Sequence, residues 1–333
     1  MKRIFSILAA LMLIIITMTG CSTGKETDSP SDSESVSQIP QFAIATKIQS
    51  DNPQSLIYTG NELRIPYMLR DQSEADAQWG LEIMLDGVLQ DFTIDDGTDH
   101  FAEEKKLHII SMRQGESKKV TLIFTPNIGQ KGQKLNLNIC TLLNPEYMPA
   151  DPSQYEFRPN HNLNGGLGAS LTMQKAAPQQ IKSSTGGIRV SALTKEQKKP
   201  YINENVQEAN GNPIISNELE QRLILQLYQN TPDEKSTTAP IDGQVNLTVC
   251  CFGKPGTYRI SLYVNHKLLP VFNGESYLDV TVKKDQAYQQ TVSIETNGLP
   301  DKNHIYAVAV PIRESDSSGM WYLEKTPTKL LIK

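Results

Sequence analysis

The sequence predicts an all-β protein: two tandem antiparallel β-sandwich domains behind a signal peptide and a disordered tether. Three observations carry that prediction. Apolar residues recur at every second position along most of the chain, the ordered runs of the first half come back in the second, and no segment after the signal shows a sustained helical stripe.

At the amino terminus a basic pair, Lys2 and Arg3, precedes a charge-free run from Ile4 to Met18, followed by Thr19, Gly20 and Cys21. That is the order of a secretory signal, and the run is shorter than the roughly 20 residues a spanning helix needs. Met18-Thr19-Gly20-Cys21 resembles the bacterial lipobox, with Met18 where that family usually has Leu. The resemblance covers only the first twenty or so residues. It implies cleavage before Cys21, acylation of its thiol and retention at the extracytoplasmic face of a cell membrane, with membrane lipid as the first partner. One acyl chain, at about 0.8 kcal/mol per buried CH2, holds a protein only marginally, whereas the two or three chains of a bacterial lipoprotein hold it firmly.

Ser22 to Ser37 is rich in Ser, Asp, Glu and Thr and almost devoid of large apolar groups. Such a segment cannot offset its ordering entropy, so residues 21–40 are expected to form a flexible tether. From Gln41 the chain reads as strands: Leu63, Ile65, Tyr67 and Leu69; Leu81, Ile83 and Leu85; Val120, Leu122 and Phe124; Leu135, Leu137 and Ile139. Period two, with Gly, Asn, Asp and Pro between the runs, argues half-buried antiparallel strands.

The second half repeats this order with Leu223, Leu225 and Leu227; Val245, Leu247, Val249 and Cys251; Ile260, Leu262 and Val264; Leu278, Val280 and Val282; Val292 and Ile294; Tyr306, Val308 and Val310. Asp86-Gly87 sits between two runs as a two-residue hairpin turn, and Asn265-His266 occupies the matching place. A duplicated unit of about seven strands follows, over residues 41–174 and 217–333, with closing strands at Ala169 to Met173 and Thr328 to Ile332. Residues 175–216 read as an extended linker that contributes an edge strand around Ile188 to Val190. The strand number and hairpin spacing resemble bacterial immunoglobulin-like or fibronectin-like surface modules, without the Cys-Trp-Cys signature of antibody domains. The resemblance implies a fold class and no function.

A net charge of -5 over 333 residues gives no electrostatic footprint for nucleic acid. With Cys21 acylated, Cys140, Cys250 and Cys251 remain, an odd number that cannot pair fully within one chain. Neighbours in a strand point to opposite faces, so Cys251 joins the Val245, Leu247, Val249 row and Cys250 the other; free buried thiols are expected.

His100, His108, His161, His266 and His304 fall singly on different turns and strands, without an H-E-x-x-H or H-x-H pair. Zinc needs three or four convergent ligands, so exposed polar histidines and no metal site are expected. Asp95-Asp96-Gly97-Thr98-Asp99 resembles part of a calcium loop but lacks the spacing and the later Glu, and reads as a solvated acidic loop. G-x-S-x-G is absent, and the one S-x-x-K, Ser22 to Lys25, lies in the tether, where nothing could hold a nucleophile against a base. Neither a cofactor nor an enzymatic activity is expected.

The Pro-, Asn-, Gly- and Tyr-rich stretch Asn144 to Gly168 is longer than its counterpart, Arg313 to Pro327, and a long loop on a sandwich is where binding often sits. Tyr147, Tyr155, Asn160 and His161 are its candidate ligand contacts, whereas Trp79, Trp321 and Tyr322 are better read as packing. The expected function is a non-catalytic, lipid-anchored envelope module that binds an envelope protein or glycan. A structural or accessory subunit of an envelope transport or secretion complex ranks second, and a cell-wall enzyme well below both.

Overall fold

The computed structural model describes residues 40–98, 103–150, 157, 159–207, 213–232, 236–238, 243–312 and 323–333. The first half supplies β1 (Ile44–Ile48), β2 (Ser55–Tyr58), β3 (Leu63–Asp71), β4 (Ala77–Leu85), β5 (Val88–Leu89), β6 (Thr93–Asp95), β7 (His108–Met112), β8 (Ser117–Phe124), β9 (Lys134–Leu143) and β10 (Leu163–Met173). They form two facing sheets, β1-β3-β8-β6 and β2-β10-β9-β4-β5, with β7 also paired to β4. Along β3 the burial alternates as the sequence pattern demands: Leu63, Ile65, Tyr67 and Leu69 lie inside, with Arg64, Pro66 and Arg70 outside. These rows join Leu81, Ile83, Leu122, Leu137 and Ile139 in one core.

Between the halves come β11 (Arg189–Ala192), the one-turn helix α1 (Lys195–Lys198), β12 (Ile202–Gln207) and β13 (Pro213–Asn217). The second half then runs α2 (Glu218–Gln221), β14 (Leu223–Tyr228), β15 (Ser236–Thr238), β16 (Gln244–Gly253), β17 (Gly256–Val264), β18 (Lys267–Leu268), β19 (Tyr277–Val282), β20 (Gln286–Glu295), β21 (Lys302–Pro311), β22 (Glu324–Lys325) and β23 (Lys329–Ile332). Its sheets are β14-β16-β20-β11 and β15-β23-β21-β17-β18, with β19 on β17 and β22 on β21.

The two sheet orders correspond, down to a short parallel pairing at one edge, β2 on β10 and β15 on β23, except that β6 comes from within the first half whereas β11 precedes the second, and β22 has no counterpart. The hairpin turns match as well. Asp86 and Gly87 have φ 42° and 76°, and Asn265 and His266 have φ 49° and 59°, so both centres of each turn are left-handed. Asp86 Oδ1 accepts from the Asn136 amide, and Asn265 Oδ1 accepts from the His304 amide. The internal duplication read from the sequence is thus visible as repeated topology.

Residues 175–216 are not a free linker. Ala177 enters the first core, Ser184 bridges to Leu278, and β11 pairs with β20 at the place that β6 fills in the first sandwich. The edge strand expected around Ile188 to Val190 is β11, and what the polar composition hid is the packing of Ala177 and Ser184, since a segment covered on one face needs few apolar residues. Thr194 and Gln197 close a capping box on α1, and the Lys198 ammonium reaches Asp285 at 2.6 Å.

The central strands differ from expectation in one consequential way. β4, β9 and β21 are buried on both faces rather than half-buried. Their outward rows face each other: Met84, Leu89 and Cys140 from the first sandwich pack with Tyr263, Tyr306, Val308 and Val310 from the second. Tyr263 and Tyr306 stack at 5.0 Å. Polar bonds cross the same seam. The Leu89 amide donates to Tyr277 Oη at 3.1 Å, and Arg259, which holds Asp279 through two 2.8 Å bonds, also donates to the Asp86 carbonyl at 3.1 Å. A Cβ on Gly87 would lie 3.0 Å from Val310, so this turn needs glycine for space as well as for φ. Residues Pro40 to Lys333 consequently form one compact unit. Among the described residues, no helix is long and apolar enough to cross a membrane.

Candidate functional site

Where the seam opens toward the surface, three histidines from distant parts of the chain meet. His161 lies just ahead of β10, His266 is the second residue of the β17–β18 turn, and His304 stands on β21. Their ring centroids are 4.1 Å (His266 to His304), 4.5 Å (His161 to His304) and 5.2 Å (His161 to His266) apart. One ring nitrogen from each lies within 4.8 Å of the other two.

Each arrives for a local reason. The His161 amide donates to the Leu143 carbonyl, which folds the end of the long loop back on β9, and the residue takes a left-handed φ of 60°. His266 has its positive φ because the hairpin demands it, a conformation His tolerates better than most residues. His304 is fixed by its backbone pairing with Asn265.

Backbone carbonyls only accept, so the neighbours settle the tautomers of two rings. His161 Nε2 donates to the Tyr147 carbonyl at 2.9 Å, and His266 Nε2 to the Pro145 carbonyl at 2.7 Å. Each Nδ1 therefore keeps its lone pair. His266 Nδ1 accepts from the Tyr306 hydroxyl at 2.9 Å. His161 Nδ1 and both nitrogens of His304 are buried without a hydrogen-bond partner. Burial, reinforced by the neighbouring imidazoles, depresses the pKa of His161 to about 3 and that of His304 to about 2; burial also holds His266 at about 4. All three are neutral near pH 7.

Beside them lie two buried groups of opposite charge type, Lys325 and Glu82. Lys325 on β22 sits 4.4 Å above the Tyr306 ring and donates to Thr328 Oγ1 at 2.6 Å. Glu82 on β4 is 2% exposed, and its Oε1 has no partner. Desolvation raises Glu82 to about 7 against the pull of Lys325, and lowers Lys325 to about 7 against the pull of Glu82.

The sequence-predicted contacts divide. Tyr147 is 38% exposed, and its ring stands edge-on to Phe157 and His161. Asn160 accepts from Asn144 Nδ2 at 2.7 Å, and His161 is buried at the seam. Tyr155, Cys21, Trp321 and Tyr322 lie outside the described residues. The loop is also shorter than expected, because Leu163 to Gly168 already belongs to β10. Its ends serve the seam: Pro145 accepts from His266, and the Ala150 carbonyl accepts from Lys302.

The expectation of exposed histidines fails for His108, His161 and His304, all buried, and for half-buried His266; His100 is outside the described residues. Sequence spacing held no sign of the cluster, since its members are more than 100 and nearly 40 positions apart. Asp95 and Asp96 are occupied by their own turn, accepting from the Gly97 and Thr98 amides. Trp79 is core, its Nε1 donating to Asp71 Oδ1 at 2.9 Å. Cys140, Cys250 and Cys251 are free and buried, with Cys251 in the core of the second sandwich and Cys250 on the opposite face.

Beside Tyr147 runs an open groove of about 1160 Å³, bounded by the β7–β8 turn and the start of β4. Asp76, Gln78, Arg113, Glu116, Glu146 and Tyr147 are among its lining residues.

No family model matches the chain, and no curated protein matches it. Among solved structures it is similar to the CsuC-CsuE chaperone-tip adhesion subunit pre-assembly complex of Csu pili from Acinetobacter baumannii, at 14% identity over 86% of this chain and 97% of that one, with a TM-score of 0.22. The periplasmic chaperone SfaE is 10% identical over 87% of this chain and 98% of its own, TM-score 0.21. A protein of unknown function from Porphyromonas gingivalis W83 is 9% identical over 87% and 99%, TM-score 0.21. Likenesses at this level carry no argument about function.

Proposed function

We propose that this chain is a lipid-anchored envelope protein that displays a compact pair of sandwiches to bind a protein or glycan partner without catalysing a reaction on it. The observation that carries the reading is the groove beside Tyr147. An aromatic ring braced by Phe157 and His161, yet 38% exposed, stands next to a mixed set of charges on the β7–β8 turn. A ring held in place costs little entropy when a sugar face or a peptide side chain lies on it. The lipobox-like start supports display at the outer face of a membrane, with the tether setting the reach.

In-cell cross-linking followed by affinity capture tests the binding half. Tyr147→Ala and Arg113→Ala should each lose the captured partner while keeping the native circular dichroism; recovery equal to wild type in both would overturn the groove as the site. Labelling with palmitate tests the anchor. Cys21→Ser should abolish label and release the protein from the envelope fraction, and retention of both label and envelope association would refute lipidation at that thiol.

A further inference from the structure

We propose that His161, His266 and His304 form a site for a divalent transition-metal ion of the zinc class, held at the seam between the two sandwiches. The inference stands apart from the binding reading above and survives its failure.

Two features of the cluster point to a ligand rather than to packing. First, the second-sphere arrangement is already built. In metal-bound histidines the ring nitrogen opposite the metal donates to a carbonyl or carboxylate, which fixes the tautomer. His161 and His266 do this, each giving Nε2–H to a backbone carbonyl and turning an unprotonated Nδ1 inward. Secondly, the inward nitrogens are polar groups in excess. His161 Nδ1 and both nitrogens of His304 are buried with no partner, and a buried unsatisfied nitrogen costs on the order of a hydrogen bond or more unless something binds it.

Comparison with the first sandwich isolates what is special. The hairpin registers make Gly87 the equivalent of His266 and Asn136 the equivalent of His304, because Asp86 and Asn265 make the same bonds to Asn136 and His304. The fold therefore does not require imidazole at either position. Only the second copy carries it, and the loop from the first copy delivers His161 to the same point.

Geometry and chemistry select the ion. Tetrahedral bonds of about 2.05 Å to nitrogen put ligand atoms about 3.3 Å apart, so candidate nitrogens within 4.8 Å of one another need to draw together by only about 1.5 Å to share an ion. Neutral imidazoles without a carboxylate suit zinc, copper or nickel and do not suit calcium or magnesium. With three protein ligands, the fourth position falls to Tyr306, whose hydroxyl is already 2.9 Å from His266 Nδ1, or to water. The Lys325 ammonium acts on all three rings and opposes binding; buried Glu82 offsets it.

The experiment uses the full protein, stripped with chelator and titrated with Zn(II) against a competing chromophoric chelator, and in parallel with Co(II). One equivalent of Zn(II) should bind, thermal unfolding should shift upward, and Co(II) should give the visible absorption of a four-coordinate site that Zn(II) then bleaches. His304→Asn copies the residue the first sandwich already tolerates, so it should fold, and it should weaken Zn(II) binding at least about tenfold through loss of one ligand of three. Failure of the wild-type protein to retain Zn(II) or to develop a Co(II) spectrum overturns the proposal whatever the variant does. Stoichiometric binding that is unchanged in a folded His304→Asn protein overturns it equally.

Discussion

Replacing Glu82 by Gln probes the seam at a buried carboxyl with an unpartnered oxygen. The carboxyl is 2% exposed, leaves Oε1 without a partner, and has its pKa raised from 4.5 to about 7, chiefly by desolvation. The unfolded chain gives up this proton first, so the contribution of the protonated group is fully present below pH 4.5 and is lost as pH rises through about 7. A rise of that size is worth about 3 kcal/mol at 1.36 kcal/mol per pKa unit. Lys325 runs the opposite way: its pKa is lowered from 10.5 to about 7, so its contribution is present above pH 10.5 and lost as pH falls through about 7. At pH 8.5 the lysine is already largely neutral in the fold, and removing its carboxylate partner adds little. Glu82→Gln should therefore stabilise the protein by about 3 kcal/mol at pH 8.5 and leave it unchanged near pH 4.5. Urea unfolding with a chelator present, across that pH range and at constant m-value, reads the difference. A variant destabilised at pH 8.5, or a difference independent of pH, would refute the reasoning.

Tyr277→Phe removes the acceptor that the Leu89 amide uses across the seam and should cost about 1 kcal/mol in the same assay, with no change in secondary structure. Gly87→Ala places a Cβ 3.0 Å from Val310 at φ 76° and should cost about 2 kcal/mol, whereas Gly274→Ala, at φ 84° but with nothing within 4 Å, should cost less. The thiols of Cys140, Cys250 and Cys251 are buried and pushed upward by burial, Cys250 to about 11 and the other two further, so in the folded Cys21→Ser protein none should react with a disulfide reagent at pH 8, and all three should after unfolding.

How much of this was legible in the sequence follows from which faces the strands bury. The inward rows, such as Leu63, Ile65, Tyr67 and Leu69, alternate with Arg64, Pro66 and Arg70, and a period-two pattern survives any arrangement of the sheets. The duplicated hairpins were readable for the same local reason, since only a left-handed turn joins strands two residues apart. The seam was not, because a row such as Glu82 and Met84 on β4, or Ser261 and Tyr263 on β17, has the mixed character of an ordinary outer face. A faint signal existed in β21, where Tyr306, Val308 and Val310 alternate with Ile305, Ala307 and Ala309, leaving no polar face at all. The histidine cluster was invisible, because its members share no element and their meeting depends on how two sandwiches dock. The start of β10 was hidden by Gly165, Gly166 and Gly168, which carry no side-chain pattern to read.

Scanning calorimetry of the Cys21→Ser protein asks most directly whether the two sandwiches are one cooperative body. A seam that buries Met84, Cys140, Tyr263 and Tyr306 from both sides should give a single endotherm whose calorimetric and van't Hoff enthalpies agree for the whole of residues 40–333. Two resolved transitions, each with the enthalpy of half the chain, would mean that the sandwiches unfold independently and that the seam does not hold them together.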